Sequence, residues 1–181
     1  ERQFPNTLRI TITERKVTAI VALSSGPVAW YLGENNVWLE ADQLNVPEGK
    51  TTATVALEKA TSEGELLITD VPATVSPVAG TTATDAEIQA VMQYQSTFSS
   101  ELTSQIVSYS ASSVDAISVT LTNGVQVALG SPTQIADKEK VILAMLKQFP
   151  GELTYLNVRT PASPTYRRVS TGNVQSGSGV S

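Results

Sequence analysis

The chain has 181 residues, a formal charge of −5 at neutral pH, 41% hydrophobic and 16% charged side chains, and neither histidine nor cysteine. That apolar content suffices for a packed core in one domain or two small ones, while the sparse, acidic charge excludes the concentrated basic surface that nucleic acid needs. Without histidine the usual general base, metal ligand and triad partner near pH 7 are gone, and without cysteine so is thiolate, disulfide and Cys-ligated metal chemistry. No cofactor is expected. No apolar run approaches the roughly 20 residues of a membrane-spanning helix, and no signal-peptide pattern follows Glu1. The chain is expected to be a soluble piece of something longer.

In chain order, Leu8, Ile10 and Ile12 alternate with Arg9, Thr11 and Thr13, which predicts a half-buried strand. Glu14-Arg15-Lys16 interrupts it, and Val17, Ala19, Val21 and Leu23 resume the alternation as a second strand. Ser24 to Pro27 is a loop. Val28–Leu32 and Val37–Glu40 flank Gly33-Glu34-Asn35-Asn36 as a hairpin, with Trp30 and Trp38 on its arms as core or cross-strand packing rather than a binding platform. After a turn at Val46–Lys50, Thr52 to Leu57 alternates again and predicts a short strand, and Leu66-Leu67-Ile68 a buried one. Residues 73–83 are mostly Thr and Ala with Pro77 and Gly80, and are expected to be a connector.

A helix is predicted from Thr84, whose hydroxyl forms a capping-box pair with Glu87; Ile88, Val91, Met92 and Phe98 share one face, and Leu102 and Ile106 extend it past a second start at Ser99-Ser100. Met92 in this stripe is core filler, not a ligand. Ile117, Val119, Leu121 and Val125, Val127, Leu129 alternate on either side of Asn123-Gly124, the pattern of a hairpin with a two-residue I′ turn. Ile135, Val141, Ile142, Met145, Leu146 and Phe149 then recur at spacings near three and four, predicting a helix that Pro150-Gly151 ends. Leu153 to Arg159 reads as a closing strand. Two prolines stiffen 160–164, Tyr166-Arg167-Arg168 follow, and the Ser/Gly-rich end, 169–181, is expected to be flexible.

Catalytic patterns are wanting. No lysine has a serine three residues before it, no Gly-rich phosphate loop occurs, and the carboxylates Glu101, Asp115, Asp137 and Glu139 are not grouped with sugar-stacking aromatics. Asp137, Lys138, Glu139 and Lys140 read as a solvated helix start. Arg159, Arg167 and Arg168 are the one basic cluster near the end, a solvated group or a docking site.

The wording of two blocks carries a resemblance. FPNTLRITITERKVTAIVAL resembles the end of the POTRA domain in the bacterial division family FtsQ/DivIB, a phrase of the type P-x-T-L-x-I-x-V-x-E-R-x-P-V-A, through Pro5, Thr7, Leu8, Ile10, Ile12, Glu14, Arg15, Val17 and Ala19. NGVQVALG, DKEKVILAMLKQF and LNVRTPASP resemble the family's second, β-type domain, with Gly124, Val127, Leu129, Gly130, Lys138, Val158, Arg159 and Pro161 at the pattern positions. The chain departs from the family in lacking the strand and two helices that begin the POTRA domain, in a middle that does not match from about residue 39 to 70, and in Asn157 where the family has Asp.

The resemblance implies an α+β fold, a mixed and mostly antiparallel sheet with two main helices, together with the last strands of a POTRA domain. Residues 1–24 would be the end of that domain, 25–168 the β-type domain and 169–181 a tail. It implies a non-enzymatic scaffold of the division septum, part of a single-pass plasma-membrane protein with this portion on the extracytoplasmic side. FtsB, joined to FtsL, would add a strand at the C-terminal edge, and other divisome membrane proteins would be further partners. The partner-binding residues it implies are Leu153, Tyr155, Leu156, Val158, Arg159, Thr160, Pro161 and Ala162, on a closing strand that no later strand covers. Edge-strand self-association is a second expectation. An alternative is an extracellular adhesin or structural β-rich module of the cell surface; a carboxylate-only wall hydrolase is a third.

Overall fold

The computed structural model describes residues 15–169. The strand expected over residues 8–13 and the tail from Ser170 onward lie outside them. Strands β1 (Val17–Leu23), β2 (Val28–Gly33) and β3 (Val37–Gln43) come first, then helix α1 (Thr52–Glu63) and β4 (Leu66–Val71). Helices α2 (Ala86–Thr97) and α3 (Ser100–Thr103) lead to β5 (Ile106–Ala111), β6 (Ile117–Leu121) and β7 (Gln126–Ala128), followed by α4 (Ile135–Gln148), β8 (Leu153–Asn157) and β9 (Thr165–Arg168). All nine strands form one sheet in the order β3-β2-β1-β4-β5-β6-β7-β8-β9. The β1/β4, β4/β5 and β7/β8 ladders are parallel and the other five antiparallel. The mixed, mostly antiparallel α+β class is as expected. β1 lies inside this sheet, between β2 and β4, with no break after Leu23.

Each parallel pair needs a crossover, and the helices supply them. α1 covers one face, where Ala56 and Ala60 pack on Ile20, Ala22 and Leu67. α2 and α4 cover the other, over Ala19, Val21, Ile68, Tyr109, Val119, Val127 and Leu156. β1 is thus buried on both faces and reads as a near-continuous apolar run, VTAIVAL, whereas β6, ISVTL, alternates because only one of its faces is covered. Trp38 is buried in the larger core and packs edge-on to the half-buried Trp30, with ring centroids 6.2 Å apart, so the tryptophans are cross-strand packing.

Several expectations are corrected. Residues 52–57 are the first turns of α1, not a strand: Thr51 caps the helix by accepting the Thr54 N–H at 3.1 Å, and Gly64 closes it in the left-handed region at φ 73°. Alternation in TTATVAL misled because alanine fits either period, while the two caps and the four-residue Ala56–Ala60 spacing specify the helix. The Thr84/Glu87 capping box does not form; Asp85 is the N-cap and α2 begins at Ala86. The apolar stripe does not run on to Ile106 as helix, because Phe98 turns extended, α3 is a single short turn, and Ile106 opens β5, a strand unforeseen in sequence. The N-cap residue of α3 is Ser99, whose N–H donates to the Glu139 carboxylate of α4 at 3.0 Å, so this end is satisfied from another helix. In the β6/β7 hairpin only Gly124 has positive φ, 81°, while the Gly124 N–H donates to Leu121 O and the Leu121 N–H to Val125 O. The loop is therefore a three-residue turn with a left-handed glycine rather than the two-residue I′ form.

Candidate protein-binding edge

The C-terminal end of the sheet is built by α4 and the chain that returns from it. Val141, Met145, Leu146 and Phe149 pack half-buried against the core, with Ile135 and Ile142 beneath them, and the left-handed Gly151 reverses the chain into β8. Leu153 and Leu156 both point inward although their spacing is odd. A bulge reconciles them: Leu153 pairs with Arg168 and Tyr155 with Arg167, so Thr154 is the extra residue.

β8 is not the edge. β7 pairs with one side of it and β9 with the other, because the chain turns at residues 160–163, where the Ser163 N–H donates to Thr160 O, and comes back antiparallel. The expectation that no later strand covers Leu153–Arg159 is thus overturned. The eight residues expected to meet a partner divide accordingly. Leu153, Leu156, Val158 and Pro161 are buried, Tyr155 is half-buried, and Arg159, Thr160 and Ala162 are exposed. Leu153, Leu156 and Val158 belong to the core, so their side chains hold the edge in place rather than present it.

The residues that do form the margin are those of β9, all four exposed. Val169 N–H donates to Glu152 O at 2.7 Å and Arg167 C=O accepts from the Thr154 hydroxyl at 3.3 Å, so alternate residues of β9 turn their backbone toward β8. Tyr166 and Arg168 therefore direct their N–H and C=O groups away from the sheet, and among the described residues no strand lies beyond them. On the helix-covered face Tyr166 stacks on Phe149 at 5.1 Å and the Arg168 guanidinium sits 5.0 Å from the Phe149 ring, with the Glu152 carboxylate at 3.4 Å. On the open face the Arg167 guanidinium lies 5.3 Å over Tyr155. The basic cluster had been legible in sequence; the four-residue strand that displays it had not.

Two of the pattern blocks meet beside this edge. Gly130, at φ 71°, passes so close to Arg159 that a Cβ would stand 2.9 Å from Arg159 Cγ, so glycine is required there for conformation and for space. The Arg159 N–H donates to Asn157 Oδ1 at 3.1 Å, a bond that an aspartate would make equally, which accounts physically for Asn where the family pattern has Asp. Beneath Gly130, Tyr94 of α2 donates its hydroxyl to Ser131 O at 2.7 Å, and Lys138 Nζ donates to the same carbonyl at 2.6 Å and to Tyr94 Oη at 3.0 Å. Lys138 is 1% exposed, so it does not belong to a solvated face with Asp137, Glu139 and Lys140. Burial without a carboxylate partner pushes its pKa down, and burial pushes Tyr94 and Tyr109 up.

The nominal catalytic carboxylates are dispersed: Asp137 is 3.6 Å from Lys140, Glu139 caps α3, and Glu101 borders a groove with Lys147. A cleft of about 430 Å³ at the ends of β1 and β4 carries Asp70 as its one carboxylate, bonded by the Ser110 hydroxyl at 2.6 Å. Among the described residues no three His, Cys, Asp or Glu side chains could hold a metal ion, and no helix is long and apolar enough to cross a membrane.

The structure is thus a mixed sheet backed by helices that ends, among the described residues, in a basic and aromatic strand paired on one side only. The family model of the cell division protein FtsQ/DivIB, C-terminal, matches residues 52–159, from the start of α1 to Arg159, so residues 52–70 match although the middle was expected not to, and the chain belongs to the FtsQ/DivIB family of cell-division proteins. No individual curated protein matches it.

Proposed function

We propose that this protein is a non-enzymatic scaffold of the bacterial division septum that binds an FtsB-type protein, joined to FtsL, by strand addition at the C-terminal margin of its sheet. The observation that carries the proposal is the outer side of β9, which no strand covers among the described residues and toward which Tyr166 and Arg168 direct their backbone groups. Family membership supports the division role. The edge first assigned to Leu153–Arg159 moves one strand outward; Tyr155, Arg159, Thr160 and Ala162 flank it as side-chain contacts, and Leu153, Leu156, Val158 and Pro161 support it from within. In this proposal the protein is anchored in the plasma membrane, with the described residues on the extracytoplasmic side, and meets other divisome membrane proteins. Residues 1–24 close a POTRA-like domain whose last strand, β1, is joined to the β-type domain in a common sheet.

The test is titration of the folded protein with the extracytoplasmic segment of an FtsB-type protein joined to FtsL, followed by backbone amide signals of residues 150–169. Saturable perturbation centred on 165–169 is expected, and Tyr166→Pro, which removes an outward N–H but no β8/β9 bond, should abolish it in a domain that stays folded. Binding that survives in folded Tyr166→Pro removes the edge assignment.

A further inference from the structure

The β9 margin carries a charge opposite to that of the whole molecule. The chain as a whole is at −5, yet this four-residue strand contains Arg167 and Arg168 and no acid. Alternation puts the two guanidinium groups on opposite faces of the sheet, and each is already held. Arg167 lies over Tyr155 at 5.3 Å, and Arg168 over Phe149 at 5.0 Å with the Tyr166 ring 6.0 Å away. Among the described residues Arg167 makes no ion pair, and the one Arg168 makes, to Glu152 at 3.4 Å, joins two half-exposed side chains. Cations restrained by aromatic rings lose little freedom when a carboxylate arrives, so an incoming strand meets two prepositioned positive groups.

A second copy of the chain is a poor occupant for the same reason. An antiparallel copy that used the outward groups of both Tyr166 and Arg168 would pair Tyr166 with Arg168 and set Arg167 directly against itself, and like charges directly opposite are destabilising. Shifting the register to relieve that contact either sets Arg168 against itself or leaves one outward residue of the strand without a partner.

Resting on the strand addition proposed above, we infer that the β9 edge selects an acidic extended segment. Its carboxylates stand at consecutive positions on the two faces of the added strand, one beside Arg168 and one beside Arg167, and an apolar side chain at the next position reaches the exposed flank of Tyr166. Arg167 and Arg168 are specificity-determining residues that favour this partner and oppose self-pairing.

The experiment uses three capped eight-residue peptides on the full chain: one repeating Glu-Glu-Val-Val, which sets glutamate on both faces of a strand, one with glutamine for each glutamate, and one with lysine. Amide shifts of residues 165–169 report binding. The acidic peptide should bind at least about fivefold more tightly than the glutamine peptide at low salt, converge with it at high salt, and the lysine peptide should not bind. In an Arg167→Glu/Arg168→Glu protein the preference should invert toward lysine, which a loss of folding would not produce. Absence of a preference for the acidic peptide, whether the first two bind equally or none binds, overturns the inference. The FtsB-type segment is titrated in parallel on the wild type and on Arg167→Gln/Arg168→Gln. Equal affinity for the two proteins removes the charge selection and leaves the docking intact, whereas no binding of that segment beside a clear acidic preference removes the named partner and leaves the edge chemistry.

Discussion

The two ends of the sheet are both formed by strands with one neighbour, yet they are finished differently. At the β3 end the connector after β4 comes back over the margin: Trp38 exchanges bonds with Thr81 O and the Gly80 N–H, the Ala83 N–H donates to Asn36 O, and Val37 bridges Thr82. At the β9 end no described segment returns, and the last strand carries basic and aromatic side chains. The difference teaches that an unpaired edge is not an unavoidable remnant of this fold. The chain covers the start of one margin with residues 80–83 and, among the described residues, leaves the other uncovered.

The contrast breaks most severely where side chains anchor each end. Trp38→Ala removes a ring that is 2% exposed and packs against Trp30, and a loss of about 3–5 kcal/mol in denaturant unfolding is expected, together with exposure of the covered margin. Leu156→Ala at the other end should cost about 2–5 kcal/mol, since the side chain is fully buried; proline at 156 should unfold the domain, in contrast to proline at 166. Gly130→Ala sharpens the comparison, because it must strain the backbone and push Arg159 aside. A loss of about 1–3 kcal/mol is expected, with amide shifts at 157–160 and none at the β3 margin. Glu139→Ala removes the acceptor at the start of α3 and should cost about 1 kcal/mol, read as faster amide exchange at Ser99 to Thr103.

A pH series gives the smallest effect and separates the residues under Gly130. Burial lowers the folded pKa of Lys138 below its ordinary 10.5, so between the two values the unfolded chain binds more protons and this lysine's contribution to stability rises with pH. The wild type should therefore gain on Lys138→Met as pH climbs toward 10.5. Tyr94 and Tyr109 act oppositely: their folded pKa values are raised above the ordinary 10.0, so their contribution is whole below pH 10 and is lost as pH rises further. Chemical denaturation of both proteins from pH 8 upward would check the two signs.

Much of this was legible in the chain itself. β1, the β2/β3 hairpin, the β6/β7 hairpin and α4 each bury one or both faces over several residues, so their apolar period appears in the sequence. α1 was misread because small alanines make its buried face and Thr-Ala alternation imitates a strand. β9 left no period at all, since all four of its side chains are exposed and its strand state derives from the β8 ladder alone. Lys138 sits among charged neighbours and looks solvated until α2 brings Tyr94 against it from 44 residues away. That a further strand follows β8 and covers it is not legible in the sequence, because the number of strands after α4 is a tertiary fact.

The covered β3 margin has a consequence for assembly. A sheet open at both ends can pass its register from copy to copy, each molecule templating the next in a filament that has no intrinsic length. With Val37 and Trp38 already engaged by the molecule's own chain, the start of β3 is occupied and only residues 39–43 are left to receive a neighbour. The register that β9 offers therefore meets, among the described residues, a shortened ladder at the far side of the sheet.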